Sequence, residues 1–148
     1  MSRNLYMEKL GEKAKLASLH LSNVNIKKRN SALKQFSQYL KTNTQIILKA
    51  NKKDVSNAKS KKIKDNMIDR LKLSNKKISQ IRNSIEEIIK FKDPIGKTLS
   101  SWKRPNDLII KRVSIPIGII GVIYESRPNV TSDVSSLCFK TGNVVIFR

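Results

Sequence analysis

The chain has 148 residues, of which 31 are Lys or Arg and 11 are Asp or Glu, for a formal charge of +20, and 39% are hydrophobic. That length allows one domain or part of one, and the apolar content argues against wholesale disorder. A single cysteine excludes an internal disulfide framework and a Cys-rich zinc site, and it fits a reducing compartment.

Met1 to Leu10 has no signal-peptide h-region. The first ninety residues read as helices. Leu5, Leu10, Ala14, Ala17 and Leu21 recur on one helical face, and Ile26, Leu33, Phe36 and Leu40 repeat the pattern. Thr44, Ile47, Leu48, Asn51, Val55 and Ala58 follow, then a short periodic stretch over Met67 to Leu73. Ser74 is placed to cap a helix carrying Ile78, Ile81, Ile85 and Ile88, with Glu86 and Lys90 as an i,i+4 pair on its outer side. Asp93-Pro94 and Gly96 end this helical region at about residue 92, because proline cannot continue the ladder. Residues 93–107 are expected to be a linker loop, with Trp102 in it.

The hydrophobic period then changes. Leu108 to Ile115 is β-branched and largely alternating, as in a half-exposed strand or hairpin arm. Ile119 to Tyr124 is almost entirely apolar, as in a buried parallel strand. After the loop Glu125-Ser126-Arg127-Pro128-Asn129, the spacing Val130, Val134, Leu137, Cys138, Thr141 predicts a helix, with Asn129 or Thr131 as its N-cap and Gly142 as its C-terminal stop. Asn143 to Phe147 is a second apolar strand, completing a βαβ unit over residues 108–148. Ser114 to Tyr124, the longest nearly uncharged run, is far short of the roughly 20 residues of a membrane helix. The expected fold is α/β, N-terminal helices followed by the beginning of a Rossmann-like parallel sheet. One crossover leaves open sheet edges, so the chain reads as the front of a longer polypeptide, incomplete at its C-terminus.

A charge of +20 raises the question of nucleic acid, since clustered cations displace phosphate counterions. Residues 1–112 carry 28 of the basic and 9 of the acidic residues, in lysine clusters that lack interleaved aromatics for base stacking. Lysine, asparagine and isoleucine are overused together, so solvated helix faces explain the charge better than a specific nucleic-acid surface. A small basic nucleic-acid-binding module remains the alternative from another functional class.

Few residues qualify for chemistry. Cys138 falls on the predicted buried stripe, where an apolar setting keeps a thiol inert. His20 has no Ser or Cys at a motif spacing, and no HExxH, CxxC, GxGxxG or GxxxxGK[ST] pattern occurs, so no metal site is expected. What remains is the loop at the carboxyl end of the strand ending at Tyr124, where open parallel sheets bind ligands and helix N-termini favour anions. Arg127 and Asn129 stand in it, and Arg148 ends the next strand at the same side, suited to a phosphate. A nucleotide or phosphorylated ligand fits these groups, as does an ordinary charged surface loop.

Taken together, Ser114-Ile115-Pro116-Ile117-Gly118-Ile119-Ile120-Gly121-Val122-Ile123-Tyr124-Glu125-Ser126-Arg127-Pro128-Asn129-Val130-Thr131, and its continuation Leu137-Cys138-Phe139-Lys140-Thr141-Gly142-Asn143-Val144-Val145-Ile146-Phe147-Arg148, resemble the signature of the gamma-glutamyl phosphate reductase family, within the aldehyde dehydrogenase superfamily. Ile47-Leu48-Lys49-Ala50-Asn51, Asp69-Arg70-Leu71 and Asp93-Pro94-Ile95-Gly96 extend the resemblance over essentially the whole chain. It implies NADPH-dependent reduction of gamma-glutamyl phosphate to glutamate 5-semialdehyde in proline biosynthesis, by a full-length homo-oligomer. It makes residues 1–148 the N-terminal part of the NADP-binding domain, with the catalytic domain and its nucleophilic cysteine absent. It also implies that Ile123, Tyr124, Glu125 and Ser126 lie along the cofactor, that Arg148 contacts its ribose end, and that Ser126, Arg127 or Asn129 meets the oxyanion or the substrate.

Overall fold

The computed structural model describes residues 5–125 and 127–148. Five helices come first: α1 (Leu5–Ser22), α2 (Ile26–Thr42), α3 (Thr44–Ser60), α4 (Asp65–Leu71) and α5 (Asn75–Lys90). Then follow β1 (Thr98–Lys103), β2 (Ile109–Val113), β3 (Ile119–Val122), α6 (Pro128–Lys140) and β4 (Val144–Phe147).

Helix starts follow local hydrogen-bond chemistry. The Asn25 side chain accepts from Lys28 N at 3.0 Å to open α2, and Ser74 Oγ accepts from Lys77 N at 3.2 Å to open α5, each satisfying a donor that the first turn leaves free. The isoleucine stripe of α5 is buried as the spacing predicts, and Ile81, Ile85 and Ile88 form the core with Leu33 of α2. Leu40, Leu73, Ile89 and Phe139 pack around that cluster, so α6 is seated on the helical layer through Phe139. Asn51, a polar residue within an apolar stripe, is buried because its side chain donates to Leu71 O at 2.9 Å and accepts from Leu73 N at 2.8 Å, clamping α3 to the turn between α4 and α5.

Several expectations change on folding. The 93–107 segment is not loop throughout: it contains β1, Trp102 included, which pairs antiparallel with β2 across Trp102↔Ile110 and Lys103↔Ile109. Ser and Lys positions on both faces of this ribbon hide its strand pattern from a period-2 reading. Lys90 pairs with Glu87 at 2.6 Å instead of Glu86, which lies 3.6 Å from Arg82. In α6 the buried residues are Ser132, Ser136, Cys138 and Lys140, while Leu137 is 43% exposed. The buried face of α6 therefore carries small serines, and the packed side is not the most hydrophobic one.

β3 and β4 pair in parallel, Ile119↔Val144 through Val122↔Phe147, with α6 as the crossover. Asn143 starts this ladder, its Oδ1 accepting from Gly118 N at 2.8 Å. The preceding Gly142 has φ +71, and a Cβ built there would lie 2.7 Å from Ile95 Cδ1 and 3.0 Å from Pro116 Cγ. Both the left-handed backbone and the contact demand glycine: the methyl of Ile95 can swing aside, but the Pro116 ring cannot. Gly142→Ala is expected to destabilise the chain by about 2–3 kcal/mol in urea denaturation.

Candidate functional site

The carboxyl ends of β3 and β4 lie side by side. Tyr124 N donates to Arg148 O at 3.1 Å, and Arg148 N donates to Val122 O at 2.9 Å, carrying the ladder one step past both strands. Ile123, Glu125, Arg127 and Arg148 are exposed around this end, and Tyr124 is half-buried. The structure therefore brings together Ile123, Tyr124, Glu125, Arg127 and Arg148 at one sheet end. Ser126 lies outside the described residues.

α6 begins earlier than the capping residues suggest. Pro128 occupies its first turn, where a missing N–H costs nothing, and Arg127 is the N-cap without a side-chain capping bond. Neither Asn129 nor Thr131 caps the helix. Asn129 Nδ2 instead donates to Asp133 Oδ2 at 3.3 Å within α6, and the Thr131 hydroxyl is hydrogen-bonded to the Tyr124 hydroxyl. The Tyr124 ring also meets Phe147 edge-on, with centroids 5.6 Å apart and planes at 76°. The loop between β3 and α6 is thus closed by Tyr124, which faces β4 with its ring and α6 with its hydroxyl. That closure was not legible in the sequence, because the Tyr124–Thr131 spacing of seven carries no pattern of its own.

The start of α6 and the guanidinium groups of Arg127 and Arg148, with Glu125 as the one carboxylate among the five residues, offer a setting for phosphate or carboxylate. Cys138 does not belong to it. The thiol is buried and burial pushes its pKa up, which removes the thiolate that nucleophilic work requires. His20 is exposed in α1. Among the described residues no group of three or more His, Cys, Asp or Glu gathers in a way that fits a metal ion, and no helix is long and apolar enough to cross a membrane.

A second set of functional groups lies under the other end of α6. Arg29 donates to Lys140 O and, at 2.7 Å, to Asp93 Oδ2, while Lys140 Nζ donates to Asn30 Oδ1 at 2.7 Å and to Ile89 O at 2.8 Å. Arg29 is 2% and Lys140 1% exposed. Each cation therefore sits at the C-terminal end of a neighbouring helix, Arg29 at that of α6 and Lys140 at that of α5, where the carbonyl dipoles favour positive charge. Desolvation pushes the Lys140 pKa below its ordinary 10.5, and nearby Arg29 adds to the lowering while Asp93 opposes it. In the sequence Lys140 stands out only as one residue of the stretch Leu137 to Arg148 that carries the resemblance.

No protein-family model matches the chain. A gamma-glutamyl phosphate reductase of Listeria welshimeri is 47% identical over 140 residues, 95% of this chain, and one of Caldicellulosiruptor saccharolyticus is 49% identical over 137 residues, 93% of this chain. The chain is a relative of the gamma-glutamyl phosphate reductases. It spans about a third of the length of those it matches, 34% and 33% respectively. The fold agrees: crystal structures of gamma-glutamyl phosphate reductases from Thermotoga maritima and Saccharomyces cerevisiae superpose with TM-scores of 0.89 and 0.90, at 39% and 29% identity. They cover 93% and 95% of this chain, which covers 33% and 36% of theirs. The helical layer, the hairpin and the parallel β3–α6–β4 unit thus correspond to the N-terminal third of those reductases, and the nucleic-acid alternative gains no support.

Proposed function

We propose that this chain is the nucleotide-binding front of an enzyme that reduces gamma-glutamyl phosphate to glutamate 5-semialdehyde with NADPH, releasing phosphate. The observation that carries the reading is the similarity to gamma-glutamyl phosphate reductases over almost the whole chain. The sheet end described above suits a dinucleotide: exposed backbone at Ile123–Glu125, two guanidinium groups and an uncapped helix start. The bound cofactor would supply the hydride, and the rest is done by the protein.

In this reading β3 and β4 begin a Rossmann-like sheet. Arg148 would hold the extra phosphate of NADPH. Arg127 orients the anionic end of the substrate, with Ser126 or Asn129 donating to the developing oxyanion, an interaction worth roughly 3 kcal/mol of barrier. Tyr124, tied to Thr131 and edge-on to Phe147, keeps the loop from collapsing onto the site. The nucleophile that forms and releases the acyl group belongs to the two-thirds of the relatives that this chain does not span, so the 148 residues alone are inactive. The whole enzyme works in the cytoplasm as a homo-oligomer.

The test joins this chain to the remaining two-thirds of the Listeria welshimeri relative. Arg148→Ala is expected to weaken NADPH by roughly tenfold or more while NADH loses far less, because only NADPH carries the second phosphate. An equal loss for both cofactors overturns the role of Arg148. Turnover of gamma-glutamyl phosphate by the 148-residue chain alone overturns the division of labour.

A further inference from the structure

We propose that the pocket between α5 and α6 recognises an α-amino acid head group, with Asp133 taking the ammonium and Lys77, Gln80 and Ser84 the carboxylate. The pocket has a volume of about 250 Å³ and is lined by Lys77, Gln80, Ile81, Ser84, Asn129 and Asp133. Its two walls carry different chemistry: the α6 wall has the Asp133 carboxylate, and the α5 wall has the Gln80 amide, the Ser84 hydroxyl and Lys77, whose ammonium is held at the turn before α5. A zwitterion is the small molecule whose two charges match both walls at once.

Asp133 is the particular feature. Its Oδ2 accepts only the 3.3 Å bond from Asn129, and its Oδ1 is buried without a hydrogen-bond partner in the protein. A buried carboxylate oxygen left unpaired is costly, and it is conspicuous in a chain with 31 cationic side chains. An ammonium, with three donors on one atom, satisfies the carboxylate once a turn about χ2 brings Oδ1 to the pocket. Opposite, Lys77 Nζ donates to Lys72 O at 2.6 Å and Asp69 O at 3.4 Å, which fixes the cation and leaves one N–H for a carboxylate. Asn129 joins the pocket to the loop after β3, so a molecule anchored here by its head group can extend its other end toward Arg127. The chemistry of the pocket stands by itself; assigning the head group to the glutamyl substrate rests on the function proposed above.

Saturation-transfer NMR on the 148-residue chain tests the chemistry, with L-glutamine as the probe because its γ-amide stands in for the γ-acyl group. Asp133→Asn is expected to weaken L-glutamine binding by roughly tenfold or more, and Gln80→Leu, on the other wall, to weaken it severalfold. 4-Carbamoylbutanoate, the same molecule without the ammonium, should bind poorly and indifferently to Asp133→Asn. L-Glutamine that fails to bind the wild type, or binds both variants as well as the wild type, overturns the proposal. The source of the head group is then read in the joined full-length enzyme, assayed with glutamate 5-semialdehyde. If the site serves the substrate, Asp133→Asn raises KM roughly tenfold with kcat within about threefold. If it serves a free amino acid, KM stays put and added L-glutamine changes the rate. If neither occurs, the pocket has no place in the reaction and the assignment falls. A joined enzyme without reductase activity would sink the proposed function while leaving the binding measurement on the chain to be judged separately.

Discussion

Asp93→Asn is expected to destabilise the chain by about 3–5 kcal/mol, the range for removing one partner from a buried ion pair. The reason lies in the charge count beneath α6. Arg29 and Lys140 are both almost fully buried, and Asp93, whose side chain is 27% exposed, is the carboxylate that pairs with Arg29 and acts on Lys140 through its charge. Asparagine preserves the oxygen that accepts from Ile95 N at 3.1 Å, so the turn leading to β1 should survive, while two buried cations lose their counter-charge. Arg29→Met should cost less, about 2–3 kcal/mol, since it removes one of those cations and the remaining Asp93 can reach water. The double variant should fall well short of the sum, because the residues share one network. Lys140 adds a pH signature. Its folded pKa lies below the 10.5 of the unfolded chain, so between the two values the unfolded state binds more protons, and stability gains from this group as pH rises through that window. Lys140→Met should remove that gain. Urea denaturation of the four variants and the wild type, repeated across alkaline pH, checks the set; a loss under 1 kcal/mol for Asp93→Asn, roughly a fivefold change in the folding constant, would mean that the cluster is solvated in practice.

How much of this was readable in advance divides along physical lines. The α5 stripe, the apolar strands on either side of α6 and the glycine stop at Gly142 were legible because each rests on local periodicity or backbone geometry. The side of α6 that packs was not, since Ser132 and Ser136 are buried for their small size and Leu137 is left outside. The β1–β2 ribbon was half-read: the second strand shows its β-branched run, whereas Thr98-Leu99-Ser100-Ser101-Trp102-Lys103 has no clean alternation, and a register shift between Thr98 and Ser100 breaks what pattern there is. The site was found by position, as the loop at the end of an apolar strand. Its inner connections were not, because Tyr124 to Thr131, Arg29 to Lys140 and Arg29 to Asp93 are tertiary pairs, the last two separated by 111 and 64 residues. Arg29 and Lys140 would be assigned to solvent by any residue-type preference, and only the two helix ends they serve make their burial tolerable.

Ile85→Ala should approach the same scale, with a loss of about 4 kcal/mol. Ile85 is the one isoleucine of the α5 stripe with no exposed surface, and it sits where Leu33 of α2 and Ile81 and Ile88 of its own helix converge. Truncation forfeits the transfer energy of three carbons and leaves a cavity whose walls come from α2, α5 and α6, held apart from one another by the Asp93 network and by Phe139. Such a site cannot collapse inward, which places it toward the costly end of the range for Ile→Ala. Ile85→Val, one methylene smaller, should cost about 1 kcal/mol. The pair separates two pictures of the molecule. If urea denaturation gives the larger loss near 4 kcal/mol, the helical layer is a rigid seat for α6, and the loop that α6 carries at its other end inherits that rigidity. If Ile85→Ala costs no more than Ile85→Val, the layer relaxes around the gap, and α6 must draw its position from the β3–β4 pair alone.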